Sequence, residues 1–171
     1  MKRVMIVGGP CSGKSTFAKL LHERTNLLLF NMDHIHWKPG WVERDMDEKN
    51  RMVHEIHMQD EWIFEGGHSS TYGERVSRAD TFIWLDIPVQ LRIFRVLRRI
   101  IMNYGKTRPD MPENCPEKFA GRTLTFIAFI WRTRHSSRAR HQKIIDNAPT
   151  HLTTHHIRNI READQFLEGL D

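Results

Sequence analysis

The sequence predicts an α/β fold of three layers, a five-stranded parallel sheet with helices on both faces. Three observations point there. Short apolar runs rich in β-branched and aromatic residues alternate with stretches whose apolar residues recur at helical spacing, as strand–helix–strand crossovers require. The first strand and the first helix are joined by Gly8-Gly9-Pro10-Cys11-Ser12-Gly13-Lys14-Ser15, which fits G-x-x-x-x-G-K-[ST]. Every strand but the last ends near Asp, Glu or Gly, and ligands of parallel sheets bind beyond the carboxyl ends of their strands.

Each element has its own signal. Arg3 to Val7 is a short β-branched run suited to a buried strand, and Phe17, Leu20 and Leu21 follow at helical spacing. Leu27 to Phe30 reads as the second strand, with Asp33 in the loop after it. A helix is expected over Asp45 to Gln59, where Met46, Val53 and Ile56 are among the apolar positions. Trp62-Ile63-Phe64 reads as the third strand, ending at Glu65-Gly66-Gly67. Thr81 to Leu85 reads as the fourth, with Pro88 opening the next helix. Leu152 to His156 is the expected fifth strand, and Ile160, Ala163, Phe166, Leu167 and Leu170 share one side of a last helix. Residues 104–116 hold three prolines and a glycine and read as a long irregular surface loop of the kind used as lids.

Composition narrows the class. The chain has 171 residues, 39% of them hydrophobic and 27% charged, which suits one domain over residues 1–171 with its own core. No apolar run approaches the roughly 18 residues that a membrane span needs, so no membrane partner is expected. Met1-Lys2-Arg3 leads straight into the first strand without the apolar core of a leader. Two cysteines, Cys11 and Cys115, are too few for a disulfide framework, and a reducing cytoplasm is the expected setting. The net charge of +5 favours anionic partners such as nucleotides, phosphorylated metabolites or nucleic acid.

The glycine-rich motif carries the chemistry. Gly8 and Gly13 free the backbone of residues 8–16 (Gly8, Gly9, Pro10, Cys11, Ser12, Gly13, Lys14, Ser15 and Thr16) so that the loop can wrap phosphate oxygens with its N–H groups, which all of these but Pro10 possess. Lys14 reaches the β- and γ-phosphates, and the Ser15 hydroxyl is placed to ligate Mg²⁺. Glu65, ending the third strand, is the expected acid beside Mg²⁺, partly through water. Asp33 is placed to orient or deprotonate an acceptor hydroxyl. Arg92, Arg95 and Arg99 share one helix face, while Arg98 points to the side of Leu91, Phe94 and Ile101. Arg95, Arg99 and Arg108 are the expected stabilisers of the transferring phosphoryl group. Gly66, Gly67, His68 and Ser69, with Arg75 nearby, are expected to read the acceptor. Trp37 and Trp41 wall its pocket or pack the core. His34 with His36 and His54 with His57 have pairwise spacing for a metal, but no cysteine or acid completes a zinc set.

Four segments carry a resemblance: Gly8 to Thr16, Met32-Asp33-His34-Ile35-His36-Trp37, Trp62 to Ser69, and Trp84-Leu85-Asp86-Ile87-Pro88. Together they resemble the adenylate-kinase-related P-loop proteins often labelled DNA topology modulation proteins (FlaR-like), over nearly the whole chain. The resemblance implies the P-loop NTPase fold of nucleoside-monophosphate kinases, with strand order 2-3-1-4-5 and a lid around residues 100–120. It also implies ATP on residues 8–16, adenine near Arg158 and Asn159, and an acceptor between the Asp33 loop with His36 and Trp37, the Glu65–Ser69 loop and the helix over 45–59. The D-G-F-P-R segment of adenylate kinase is replaced here by Glu65-Gly66-Gly67-His68-Ser69, which argues against AMP as acceptor. The D-x-D of shikimate kinase is reduced to Asp33 followed by His34, which argues against shikimate.

The expected activity is an ATP- and Mg²⁺-dependent kinase acting on a small molecule or nucleotide, as a monomer or homodimer. The alternative is a nucleotide-dependent regulator whose Arg132, Arg134, Arg138 and Arg140 contact nucleic-acid phosphates. The kinase is preferred because arginines around a proline-rich loop suit phosphoryl transfer better than groove readout.

Overall fold

A computed structural model describes residues 1–108, 110–117 and 121–170, with the backbone only at 121 and 122. Pro109 and residues 118–120 of the expected lid, and Asp171 at the end of the expected domain, lie outside the described residues.

Residues with the least tolerance for water build the centre. Strand β1 (Arg3–Gly8) carries Val4, Met5, Ile6 and Val7, all fully buried. A strand buried on both faces reads as a continuous apolar run and belongs in the middle of a parallel sheet. Its neighbours are β5 (Trp62–Glu65) on one side and β6 (Thr81–Leu85) on the other. The outer strands are β2 (Leu29–Asn31) beside β5 and β7 (Thr153–Ile157) beside β6. All four pairings are parallel, in the order β2-β5-β1-β6-β7. Counted along the chain within this sheet, that is the expected 2-3-1-4-5.

Alternation along the strands divides the core in two. Val4, Ile6, Ile63 and Ile83 face α1 (Lys14–Thr25) and α7 (Ile160–Glu168), packing on Phe17, Ala18, Leu21 and Leu167. Met5, Val7, Phe64, Phe82 and Trp84 face the other way, onto Val53 and Ile56 of α3 (Met46–His57) and the last turns of α6 (Gly121–Asp146). Burying each such side chain is worth about 1.5–3 kcal/mol, which makes these two faces the main source of stability. A third, smaller cluster joins Val96 and Ile100 of α5 (Val89–Met102) to Ile130 of α6, beside Cys11. The remaining short elements include α2 (Met32–His36), followed by an antiparallel pair β3 (Trp37–Lys38) and β4 (Val42–Glu43), and α4 (Tyr72–Arg78).

Element boundaries shift for local reasons. The second strand starts at Leu29, not Leu27, because Asn26 ends α1 in the left-handed conformation, at φ 59°. Leu27 then drops into the core, while Leu28 is exposed and offers only its carbonyl, to Ile63 N at 2.8 Å. Helix α3 starts one residue late because Asp45 is its N-cap, accepting from Asp47 N at 2.9 Å and Glu48 N at 3.4 Å; it ends at His57 rather than Gln59. The third strand runs one residue further than expected, to Glu65, and the fifth is shifted by one, to Thr153–Ile157. The proline-rich segment is not a plain surface loop. Met111 and Cys115 are buried in it, and Thr107 bridges to Pro116.

Two histidines are sealed in the second core face. His57 lies against the rings of Trp62 and Phe64, and His141 against Trp84 and Tyr72. Burial pushes their pKa values down, to about 3 for His57 and about 4 for His141. Both are neutral in the folded protein at pH 7. In the unfolded chain they take up protons below about pH 6.5. Their contribution is therefore complete above that pH and is lost as pH falls toward the folded values. We expect the protein to lose roughly 1–2 kcal/mol per histidine between pH 7 and pH 5. Urea unfolding at both pH values measures this; the His141→Phe variant should lose less stability over that range than the parent protein, and an undiminished loss would disprove the assignment.

Candidate active site

The loop after β1 is shaped by backbone that side chains resist. Gly8 has φ 154°, and a Cβ there would lie 2.6 Å from Leu85 O and 2.9 Å from Ser12 Oγ. Cys11 is left-handed at φ 56°, a conformation that costs a non-glycine residue free energy. Gly13, also left-handed, caps α1. The loop closes on itself through Ser12 N donating to Gly9 O at 3.2 Å. The free N–H groups and positive end of α1 face the same space.

Three side chains meet where that helix starts. Lys14 Nζ donates to Gly9 O at 3.2 Å and pairs with Glu65 Oε1 at 3.6 Å. Ser15 Oγ donates to Glu65 Oε2 at 3.3 Å. Glu65, fifty positions away in sequence, arrives there because β5 pairs with β1 and places it opposite Ile6. It is 3% exposed. Burial pushes its carboxyl above the ordinary carboxylate range, while Lys14 pulls the other way and Asp33 adds to the rise. A hydroxyl beside a buried carboxylate is a hard oxygen donor set, and it fits Mg²⁺.

The arginine face of α5 lies along the outside of the loop. Arg95 Nη1 donates to Ser12 O at 3.0 Å and Cys11 O at 3.4 Å. Arg99 Nη1 reaches Cys11 Sγ at 3.3 Å, and its Nε pairs with Glu117 Oε1 at 3.1 Å. Arg108 pairs with the same oxygen at 2.8 Å and with Asp110. The three expected phosphate arginines are thus gathered on one flank, two of them on one buried carboxylate. Arg98 is exposed, on the side expected of it.

The opposite flank holds the expected acceptor residues. Asp33 is exposed on α2, its N–H accepted by Asn31 Oδ1 at 2.8 Å. His36 lies 3.7 Å from Glu43 and edge-on to Trp37, which is edge-on to Trp41. Trp41 ties this hairpin to the 104–117 segment: its N–H reaches Cys115 Sγ at 3.3 Å and its indole donates to Pro116 O at 3.2 Å. Gly66 is buried, whereas Gly67 and Ser69 are open to solvent. His68 Nε2 lies 2.8 Å from Asn50 Oδ1 and 2.9 Å from Ser70 Oγ. Asn50 went unnoticed in the sequence; its signal was its place three residues before Val53, on the face of α3 turned to this loop.

One expected acceptor contact is corrected. Arg75 is fully buried. Its guanidinium donates to Gly66 O at 2.7 Å, His57 Nε2 at 3.2 Å and Thr71 Oγ1 at 3.4 Å, and stacks over Phe64. It holds the Gly66–Gly67 turn from beneath and cannot reach a ligand. Asn159 is engaged as well: its side chain caps α7 by accepting from Glu162 N at 2.9 Å, and Arg158 N donates to Glu162 Oε2 at 2.6 Å. Their place just after β7 leaves only Arg158's side chain uncommitted by these bonds. Of the α6 arginines, Arg134 lies over the Trp131 ring and Arg138 pairs with Asp86 at 3.1 Å.

Fold and loop together define a P-loop architecture, and comparison with solved structures agrees. Shikimate kinase from Acinetobacter baumannii, solved in complex with shikimate, superposes with a TM-score of 0.57 at 15% identity, covering 99% of this chain and 91% of that one. Shikimate kinase from Bacteroides thetaiotaomicron gives 0.58 at 13% identity, covering 99% and 95%. A sugar kinase from a Janibacter species, unliganded, gives 0.56 at 12% identity, covering 99% and 91%. At such identities the likeness establishes the fold, which is that of the shikimate-kinase-like P-loop proteins. No protein-family profile matches the chain, and no curated protein does. Among the described residues, no helix is long and apolar enough to cross a membrane.

Proposed function

We propose that the chain is an ATP-dependent phosphotransferase that passes the γ-phosphoryl group to a hydroxyl of a small molecule or nucleotide. The supporting observation is the meeting of Lys14, Ser15 and buried Glu65 at the mouth of the loop, with Asp33 on the acceptor side. Loop N–H groups and Lys14 would hold the β- and γ-phosphates. Mg²⁺, held by Ser15 and Glu65, would neutralise the phosphate charge. Asp33 would accept the proton of the acceptor hydroxyl as its oxygen bonds to the γ-phosphorus and ADP leaves. Arg95, Arg99 and Arg108 would stabilise the group in transit after Arg99 and Arg108 exchange Glu117 for phosphate.

ADP formation against a panel of nucleosides, sugars and hydroxy acids tests this. One or more compounds should raise turnover above the water background. Glu65→Gln should lower that turnover by about 100-fold or more, typical of losing a transition-state electrostatic contact. Its melting temperature without ligand should hold or rise, because a carboxyl disfavoured by burial is replaced by a neutral amide. Nucleotide binding with no stimulated turnover by any compound would refute the kinase and leave a nucleotide-dependent regulator.

A further inference from the structure

Helices α5 and α6 form a layer with two unlike sides. The side of α5 that carries Arg95 and Arg99 lies on the phosphate loop. Phe94, Leu97 and Ile101 recur at i, i+3 and i+7, so they share the side turned away from it. Val96 and Ile100 pack on Ile130 and lay α6 alongside, where Leu124, Phe129 and Trp131 are exposed. Phe129 stacks on Phe126, which packs on that same cluster. The six outward side chains are between 37% and 76% exposed. At about 200 Å² for a whole large side chain they offer roughly 650 Å² to solvent. The largest apolar patch on a typical monomer is about 300–600 Å².

Charge on this layer has one sign. Neither α5 nor residues 121–145 of α6 contain an Asp or Glu. Arg98 stands exposed next to Leu97 and Arg132 next to Trp131, and the Arg134 guanidinium lies over the Trp131 ring, 4.1 Å from its centroid. An apolar ridge flanked by arginines and free of acids suits the headgroup region of a bilayer. Rings and aliphatic chains enter the acyl boundary there, while guanidinium groups stay with the phosphates. A second copy fits less well. A two-fold contact sets the same face against itself, and the arginines of each copy would meet arginines, with no acid on either helix to receive them.

We infer that this face docks on a lipid bilayer with anionic headgroups. A helix that lies on a bilayer needs no spanning segment. Docking leaves the phosphate loop open, because the loop lies against the other side of α5. The inference is independent of the phosphotransferase reading, and each stands or falls alone.

Co-sedimentation of the full chain with vesicles tests it. One set is about 70% phosphatidylcholine and 30% phosphatidylglycerol, which carries a negative surface potential; the other is phosphatidylcholine alone. The chain should bind the anionic set at least about tenfold more tightly, and the preference should fade as salt rises from about 0.1 M to 1 M. Phe94→Glu with Ile101→Glu should weaken binding to anionic vesicles by about tenfold or more, since two inserted side chains are lost. Arg98→Gln with Arg132→Gln should weaken it by about tenfold or more as well, through two lost charges. Both pairs change exposed side chains and should melt within about 4 °C of the parent protein. Should one pair fail to fold, the other carries the measurement. No binding to anionic vesicles at about 5 mM lipid overturns the inference, because even a single myristoyl chain binds at roughly 0.1 mM. Equal binding to both kinds of vesicle overturns it too, as does binding that a folded pair leaves unchanged. Sedimentation velocity without lipid is the other arm. A dimer that Phe94→Glu with Ile101→Glu splits gives the face to a second copy and overturns the inference; an oligomeric state unchanged in that variant supports it.

Discussion

Lys14→Ala should lower phosphoryl transfer by about a thousandfold or more and weaken nucleotide binding, while the protein without ligand stays folded. The magnitude follows from the proposed phosphotransferase function, in which Lys14 would be the charge nearest the transferring group. Stability should survive because Lys14 makes one bond to the loop, to Gly9 O, and one ion pair, to Glu65. The ion pair leaves a signature. Without Lys14 the Glu65 carboxyl, already pushed up by burial, rises further. A group whose folded pKa lies above its unfolded value supports the fold below the unfolded pKa and withdraws that support as pH rises through the folded one. The cost of Lys14→Ala should therefore grow from pH 6 to pH 8, and disappear in a Lys14→Ala, Glu65→Gln double variant. Calorimetry with ATP and thermal melts at both pH values measure all of this. A melting temperature lowered by more than about 8 °C at pH 6, several kcal/mol for a chain of this size, would mean that Lys14 supports the fold itself.

Arg75→Met should destabilise the protein by about 3–5 kcal/mol, the cost of breaking a buried, hydrogen-bonded charged group. Methionine fills much of the volume over Phe64 but donates nothing, so Gly66 O and His57 Nε2 lose their donor. The turn that carries Gly67 and His68 should loosen in the same variant and raise the acceptor KM, with nucleotide affinity little changed. A residue that simply read the acceptor would give the second effect without the first. Urea midpoints decide between them: a loss under about 1 kcal/mol would return Arg75 to the ligand side.

Much of the architecture was legible because it is written in short-range patterns. The β-branched run before Gly8 and the helical spacing after Lys14 each need only a few neighbouring residues to be read. Pairing Glu65 with Ser15 was also within reach, since strand ends in a parallel sheet converge. Errors came where a side chain's partner lies far along the chain. Glu117 joining Arg99 and Arg108, Cys115 and Pro116 receiving Trp41, and Asn50 bracing His68 have no local spacing to announce them. Arg75 was misjudged because an arginine near a glycine turn suggests a ligand, and only the packing of Phe64 and Tyr72 around it shows it enclosed.

Helix α5 separates the two kinds of information. Its sequence settled that a helix forms after Pro88 and that Arg92, Arg95 and Arg99 share a face, since both follow from backbone geometry at 3.6 residues per turn. Which face turns inward was decided by the rest of the molecule. Hydrophobicity alone would bury Phe94 and Ile101, yet these are 61% and 76% exposed, while Arg92 is buried and Arg95 lies on the loop carbonyls. The loop after β1 presents Cys11 O and Ser12 O to α5, where Arg95 Nη1 donates to both. Those donated bonds offset the apolar burial forgone at Phe94 and Ile101, because an unsatisfied buried carbonyl costs about as much as burying a phenylalanine gains.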